Sequence, residues 1–317
     1  MHIKYSDAEQ PQISDLRAII TAVERGAVHD GHGFRTTVFF KGCPLRCGWC
    51  HNPETHETTP QLLYTQSKCA GCHACAATCR RGALVWENDG LEIDFDRCDT
   101  CGECVKTCPT GAMLVVGEEK TLDDLVREVL RDQVFYKNSG GGVTLSGGEL
   151  SLQADFAAAF LKKLKEAGIH TAIETCAHTS GKKFASLIKY TDTVLFDLKH
   201  SDSEKHRKYT GCGNELILKN LELTRRMCRE IIVRVPLIPG VNDGIDVLEG
   251  ICRICLRHDI KMLNLLPFHQ LGEAKWDALQ KEYPFRGVKT MASADIMKAR
   301  DICASMGLNV SIGGSAL

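Results

Sequence analysis

No stretch of this 317-residue chain approaches the roughly 18 consecutive apolar residues of a membrane-spanning helix, so membrane insertion is not expected. The opening residues, Met1-His2-Ile3-Lys4-Tyr5-Ser6-Asp7, lack the apolar stretch of a signal peptide. Charge of one sign is missing as well. With 39 Lys and Arg against 40 Asp and Glu, the formal net charge is −1, and there is no electrostatic case for nucleic-acid binding. Low-complexity tracts and long linkers are absent, and the length suits one large domain or two ordinary ones. What the chain has in plenty is cysteine: 17 residues. An odd number without an export signal argues against a secreted disulfide scaffold and for metal binding in a cytoplasmic protein.

Eleven of the cysteines fall into three tight groups: Cys43, Cys47, Cys50; Cys69, Cys72, Cys75, Cys79; and Cys98, Cys101, Cys104, Cys108. The other six (Cys176, Cys212, Cys228, Cys252, Cys255, Cys303) are scattered. Free cysteine packs as a small hydrophobe, so all six are expected to be buried apolar residues. That includes the Cys252-x-x-Cys255 pair, which sits inside an apolar helical pattern with no second pair nearby.

Apolar spacing predicts alternating strands and helices over most of the chain. Phe34–Phe40 reads as an early strand, Leu122–Leu130 as a helix after an N-cap at Thr121, and 142–145 as a strand. Leu152, Phe156, Phe160 and Leu164 mark a further helix, and strands are expected at 169–173, 193–197, 231–235, 261–266 and 308–312. Such alternation predicts a parallel sheet with helices outside it, open or closed into a barrel. Glu149, Glu174, Asp197 with Lys199, Arg234 and His269 each follow an apolar strand core. In a βα architecture the C-terminal strand ends share one mouth, so these residues are expected to form one site.

Cys69-x2-Cys72-x2-Cys75-x3-Cys79 and Cys98-x2-Cys101-x2-Cys104-x3-Cys108-Pro109 match the bacterial ferredoxin run, in which the fourth cysteine serves the other cluster. Cys69, Cys72, Cys75 and Cys108 are therefore assigned to one 4Fe–4S cluster, and Cys98, Cys101, Cys104 and Cys79 to a second. Structural zinc sites favour separated cysteine pairs over three cysteines in seven residues. The C-x3-C-x2-C triplet Cys43, Cys47, Cys50 supplies three thiolates only, which leaves one iron of a cubane open to an outside ligand. By spacing alone it also fits a fragment of a zinc site or an incomplete ferredoxin run.

The triplet, with Trp49 before its last cysteine, resembles the radical S-adenosylmethionine superfamily. Within it the chain is similar to the activating enzymes of glycyl radical enzymes, in the branch with a two-cluster ferredoxin insert. The stretches that carry this likeness are His29–Thr36, Cys50–Thr55, Leu145-Ser146-Gly147-Gly148-Glu149, Phe196-Asp197-Leu198-Lys199, Arg234–Gly240 and Leu265–His269. The likeness implies an α/β fold, a partial (β/α)6 radical S-adenosylmethionine barrel formed by residues 1–65 and 112–317. The inserted ferredoxin-like module with two 4Fe–4S clusters then spans 66–111.

The same resemblance places a 4Fe–4S cluster on Cys43, Cys47 and Cys50, with S-adenosylmethionine chelating its open iron. Gly147, Gly148 and Glu149 would meet the methionine ammonium, Lys199 its carboxylate, and Glu174 would lie near the methionine moiety. His269 would lie by the nucleoside, Arg234 by the ribose and Trp49 by the adenine. Glu174, Thr175 and Asp197 would form a monovalent-cation site. The implied function is reductive cleavage of S-adenosylmethionine to methionine and a 5′-deoxyadenosyl radical that takes a Cα hydrogen from a glycine of a partner enzyme. The implied setting is an anaerobic cytoplasm, with a flavodoxin or ferredoxin as electron donor. Partners in this branch are choline, glycerol or diol, hydroxyproline, arylacetate and sulfonate lyases, and no residue here chooses among them. His32, Leu150 and Ala177 depart from the pattern, where proline, proline and glycine are usual. Two other readings compete: a radical S-adenosylmethionine enzyme for a small molecule or ribosomal peptide, and a polyferredoxin electron carrier. The second leaves the triplet, Gly147-Gly148-Glu149 and the charged rim without a role.

Overall fold

The computed structural model describes residues 16–27, 30–87 and 90–313. His29 of the first matching stretch lies outside them, as do residues 1–15. The described chain opens with β1 (Arg17–Ala27) and β2 (Arg35–Phe40). A cysteine-rich segment follows: β3 (Gln61–Tyr64), α1 (Ala74–Thr78), β4 (Leu84–Glu87), β5 (Gly90–Ile93), α2 (Glu103–Thr107) and β6 (Met113–Val116). Next come β7 (Glu118–Thr121), α3 (Leu122–Leu130) and α4 (Gln133–Ser139). Strand and helix then alternate: β8 (Gly142–Gly147), α5 (Ala154–Glu166), β9 (His170–Thr175), α6 (Gly181–Ile188), β10 (Thr193–Asp197), α7 (Ser203–Thr210) and α8 (Glu215–Met227). The series ends with β11 (Glu230–Leu237), α9 (Ile245–Arg257), β12 (Met262–Pro267), α10 (Glu273–Ala278), α11 (Ser293–Ser305) and β13 (Asn309–Ile312).

Nine strands make one sheet in the order β13-β12-β11-β10-β9-β8-β2-β1-β7. From β2 through β8 to β13 every pairing is parallel, whereas β1 runs antiparallel to both β2 and β7. Among the described residues the order ends at β7 and β13, so the sheet is open. The strands predicted from the sequence form its parallel part, and β13 adds a seventh strand to the six of β2 and β8–β12.

Side chains alternate with the period of two that a strand imposes. Val38, Leu145, Ile173, Phe196, Val233 and Leu265 enter the core beneath the helices. Their neighbours Thr37, Thr144, Glu174, Asp197, Arg234 and Asn264 face the opposite side. The helices present complementary stripes, Phe156, Phe160 and Leu164 on α5 and Leu248, Ile251, Cys252 and Cys255 on α9. Thr121 caps α3, Ser180 caps α6 and Asp202 caps α7, each side-chain oxygen accepting from a first-turn N–H.

The loop before β2 fills the polar side of the sheet near the N-terminal strand ends. Thr37 donates to the Asp30 carboxylate at 2.8 Å and Thr144 to the Asp30 carbonyl at 2.7 Å. Arg35, fully buried, donates to Thr144 and to the carbonyls of His32 and Val143. Burial pulls its guanidinium down to about 10. His32, where proline is usual, meets Glu230 at 2.9 Å.

The cysteine-rich segment leaves and returns through the antiparallel pair β3–β6 and holds its own small core of Leu62, Tyr64, Leu84, Leu91, Ile93 and Met113. Its two halves repeat one backbone device. Gly71 and His73 in the first run, and Thr100 and Gly102 in the second, are left-handed at equivalent positions, with φ of 65°, 59°, 54° and 77°. Each run so folds tightly before its five-residue helix, and α1 and α2 pack on each other.

Candidate functional site

Because six of the strands are parallel and in register, their C-terminal ends rise together on one side of the sheet. A cavity of about 310 Å3 opens there. Cys43, Cys47 and Cys50 line it from the loop after β2, facing Glu174, Asp197, Lys199, Arg234 and His269 on the rim. Trp49, Gly147, Gly148 and Thr175 also reach it.

The triplet loop is pinned from several directions. Gly42 donates its N–H to Thr55 O at 2.9 Å, Arg46 donates to Thr210 O at 2.7 Å, and the Trp276 indole donates to Cys50 O at 2.9 Å. Trp49 sets its ring edge-on against Phe285, 5.9 Å between centroids. Burial raises the thiols of Cys47 and Cys50, the latter to about 12.

Gly147 and Gly148 serve the fold before any ligand. A Cβ on Gly147, at φ +116°, would stand 2.3 Å from Phe40 N, and one on Gly148 would stand 2.2 Å from Gly42 O. The end of β8 therefore lies directly on the backbone that launches the cysteine loop, held by Gly148 N–H to Phe40 O at 2.9 Å and Glu149 N–H to Gly42 O at 2.7 Å.

Glu149 departs from expectation. Its carboxylate is fully buried, does not line the cavity, and spends its acceptor capacity inside the protein. It accepts from Ser151 N at 3.1 Å, Thr175 Oγ1 at 2.8 Å, Cys176 N at 2.9 Å and Cys176 Sγ at 3.0 Å. A carboxylate with that many donors is an anchor joining the ends of β8 and β9, so in this structure it does not present itself to an ammonium in the cavity.

The other rim residues do face the cavity. Lys199 donates to Asp197 Oδ2 at 2.9 Å. Burial works against the ammonium, but Asp197 and the surrounding thiols outweigh it and raise its pKa well above the ordinary value. Arg234 Nη1 lies 3.1 Å from Glu174 Oε1 and 3.8 Å from Asp30. Burial raises the Glu174 carboxyl against this pairing, while Ser146 donates to its Oε2 at 2.6 Å. His269 stacks on His51 with 4.2 Å between centroids, and burial lowers both imidazoles. Four buried atoms here find no aligned hydrogen-bond partner: Asp197 Oδ1, Arg234 Nε, Arg234 Nη1 and His269 Nδ1. Buried polar atoms are rarely left unpaired, so these are the contacts open to a polar ligand.

The three residues expected to cage a monovalent cation line the same cavity, but two of them are engaged with protein partners. Glu174 turns to Ser146 and Arg234, Thr175 donates to Glu149, and only Asp197 Oδ1 is uncommitted.

In the cysteine-rich segment, Cys69, Cys72, Cys75 and Cys108 surround one small cavity, and Cys79, Cys98, Cys101 and Cys104 surround another. Gly71 N–H and Ala112 N–H point at the sulfurs of Cys69 and Cys108 at 3.4 and 3.3 Å. Among the described residues no three His, Cys, Asp or Glu close in as a lone metal ion requires.

Cys176 is more than the packed apolar residue expected from the sequence. It is 5% exposed, but it lines the site cavity beside Cys43. The signal was its position, directly after Glu174 and Thr175 at a strand end. Cys212 also differs, half-buried against the triplet loop, its Sγ 3.6 Å from Pro44 O. Cys228, Cys252, Cys255 and Cys303 are buried in the core as expected.

A model of the radical SAM superfamily matches residues 37–249. Among curated proteins, the trans-4-hydroxy-L-proline dehydratase activating enzyme of Clostridioides difficile is 38% identical over 302 residues, covering 94% of this chain and 100% of that protein. The choline trimethylamine-lyase activating enzyme of Oleidesulfovibrio alaskensis is 39% identical over 305 residues, covering 94% and 98%. The (2S)-3-sulfopropanediol sulfolyase activating enzyme of Bilophila wadsworthia is 41% identical over 276 residues, covering 86% and 91%. Among solved structures, Streptococcus suis SuiB bound to precursor peptide SuiA superposes with a TM-score of 0.53 over 85% of this chain and 46% of that one. At 14% identity that likeness is one of fold alone. No helix among the described residues is long and apolar enough to cross a membrane.

Proposed function

The chain belongs to the radical SAM superfamily, and we propose that it is the activating enzyme of a glycyl radical enzyme, an oxidoreductase that installs the radical on a glycine of its partner. The observation that carries this reading is the cavity itself, which unites three cysteines on one loop with the polar rim of Glu174, Asp197, Lys199, Arg234 and His269.

The donor set fits the cofactor. Three thiols and no fourth ligand from the triplet suit a 4Fe–4S cluster with one open iron. When bound, that cluster supplies the electron that cleaves S-adenosylmethionine to methionine and a 5′-deoxyadenosyl radical, which removes the glycine Cα hydrogen. The chain's own residues bind and orient. Lys199, held by Asp197, offers its ammonium to the methionine carboxylate. Arg234, whose Nε is unpartnered and whose Nη1 is paired with Glu174, has a donor for the carboxylate or ribose, and Asp197 Oδ1 is an acceptor for the methionine ammonium, the role first expected of Glu149. His269 and the wall beside Trp49 flank the nucleoside end.

In the same reading residues 66–111 form a ferredoxin-like module with two further 4Fe–4S clusters. Cys69, Cys72, Cys75 and Cys108 hold one, and Cys98, Cys101, Cys104 and Cys79 the other. The two four-thiol cavities and the left-handed turns repeated in both runs support it. A flavodoxin or ferredoxin is the fitting electron donor.

Two measurements test this. Anaerobically reconstituted wild type is expected to hold about twelve irons, Cys47→Ala about four fewer, and Cys108→Ser to lose the cluster it shares with Cys69. Zinc, or about four irons in all, overturns the three-cluster reading. With a strong reductant, wild type is expected to form 5′-deoxyadenosine and Cys47→Ala none; an iron-loaded wild type that forms none overturns the activity.

A further inference from the structure

We propose that the two clusters of residues 66–111 differ in reduction potential, and that Thr110 is a positioning residue that sets them apart. Its hydroxyl meets the Cys108 sulfur, so the cluster on Cys69, Cys72, Cys75 and Cys108 is the first of the two to take an electron. This rests on the reading that both cysteine runs hold clusters.

The two runs end alike. Cys79-Arg80-Arg81-Gly82-Ala83 and Cys108-Pro109-Thr110-Gly111-Ala112 share one spacing, and Gly82 and Gly111 are both left-handed, at φ 60° and 66°. With the backbone repeated, the side chains make the difference. Thr110 Oγ1 lies 3.6 Å from Cys108 Sγ, and Ala112 N–H donates to the same sulfur at 3.3 Å. At the matching place Arg81 turns aside, its Nε donating to Asp99 Oδ2 at 2.7 Å. Arg81 and Asp99 both line the cavity of Cys79, Cys98, Cys101 and Cys104, so together they bring no net charge to that wall. Glu103, on the same wall, is likewise paired, with Lys106 at 2.8 Å.

β4 repeats the contrast. Leu84 and Trp86 stand two residues apart, hence on one side of the strand, and each lines one of the cavities. Leu84, beside Cys79, has no donor. Trp86, beside Cys108, carries an indole N–H that is buried and without a partner among the described residues, and its ring is stacked on His73 with 4.2 Å between centroids. An orphaned buried donor at the wall of a four-thiol cavity fits an anionic group inside it. A cysteine that ligates metal is a thiolate, which can only accept, so Thr110 then supplies the proton of its contact with Cys108. Hydrogen bonds to sulfur help set the potential of an iron–sulfur cluster, because they stabilise the negative charge added on reduction. The first cavity has that help from two side chains, and their counterparts Arg81 and Leu84 give none to the second.

The test uses the full-length chain with Cys47→Ala, reconstituted anaerobically, so that only the clusters of residues 66–111 titrate. Iron content is measured first, and about eight irons are expected. A redox titration followed by electron paramagnetic resonance then compares this protein with the same protein carrying Thr110→Val, Thr110→Ala or Thr110→Ser. Two separate midpoints are expected. Val keeps the shape and loses the hydroxyl, and at the parent's higher midpoint the ratio of reduced to oxidised cluster is expected to fall roughly threefold, about 28 mV at 59 mV per tenfold. The lower midpoint is expected to stay, and Ser, which keeps an O–H, to match the parent. Where Val does not load fully, Ala decides, with the same shift expected. Indistinguishable midpoints overturn the proposal, as does a loaded Val or Ala variant that leaves the higher midpoint in place or moves the lower one. A Ser variant as displaced as Val overturns it too, by making residue 110 a matter of shape. Failure of the underlying reading shows itself separately: Cys47→Ala protein would then hold zinc or no iron, whatever stands at 110, and the proposal would fall with it.

Discussion

The Trp276 indole N–H donates to the carbonyl of Cys50 across 2.9 Å, tying α10 to the last cysteine of the triplet. Beside it, Lys275 reaches Asn52 Oδ1 and Glu54 Oε1, both at 2.6 Å. Just beyond the helix, the Gln280 amide bonds Ile93 N and Leu91 O on the free edge of β5. One short stretch of chain so braces both the triplet loop and the cysteine-rich segment. Trp276→Phe should keep most of the packing and lose one hydrogen bond, at about 1 kcal/mol. Trp276→Ala should cost about 3–5 kcal/mol and lower the iron retained by the triplet. Denaturant unfolding with iron analysis checks both.

Gly148 admits no side chain, because a Cβ would lie 2.2 Å from Gly42 O. Gly148→Ala is expected to destabilise by about 3 kcal/mol or more and to impair loading of the triplet cluster. Gly168, at φ +71° with open space where its Cβ would go, is the control: Gly168→Ala should cost only about 1 kcal/mol and leave iron unchanged. Thermal unfolding and iron content of the two variants separate the effects.

Lys199 and Arg234 should govern S-adenosylmethionine affinity rather than cluster assembly. Lys199→Met and Arg234→Gln are each expected to weaken binding by roughly tenfold to a hundredfold, as for a lost charge-assisted hydrogen bond, with iron content preserved. Calorimetric titration of the loaded variants gives the answer.

Burial, with repulsion from Arg46, Lys281 and Lys41, lowers His56 from 6.5 to about 4. Between those values the unfolded chain binds the proton and the folded chain does not. Stability therefore rises with pH across the window; the contribution is complete above 6.5 and is lost as pH falls towards 4. It amounts to about 3 kcal/mol at most. His56→Phe, which keeps a ring against Trp276, should flatten the denaturant midpoint between pH 6.5 and 4 relative to wild type.

Much of this architecture was legible because local signals agreed with the fold. The strand expected at 193–197 is β10 residue for residue, and Thr121 caps α3 as its position implied. The alternation Phe196-Asp197 and Val233-Arg234 already separated core from rim. β1 and β7 were not foreseen, because antiparallel edge pairing depends on distant partners: Arg17 lies opposite Thr121. The surroundings of Glu149 and Cys176 were not legible for one reason. A residue's place in the chain says that it reaches the strand ends, but not which way the chain turns there, and the glycine-led turn after β8 directs Glu149 inward to Cys176. Ala177, where glycine is usual, takes φ 55° within that same junction.

The most direct test follows the radical to its destination. Glycyl radical enzymes of the choline, diol, hydroxyproline, arylacetate and sulfonate lyase classes would each be incubated anaerobically with reduced, iron-loaded protein and S-adenosylmethionine, then examined by electron paramagnetic resonance. A glycyl radical signal on one partner, formed together with 5′-deoxyadenosine and absent with Cys47→Ala, is the predicted result. A fully loaded wild type that yields no radical on any of them and no 5′-deoxyadenosine would contradict the account.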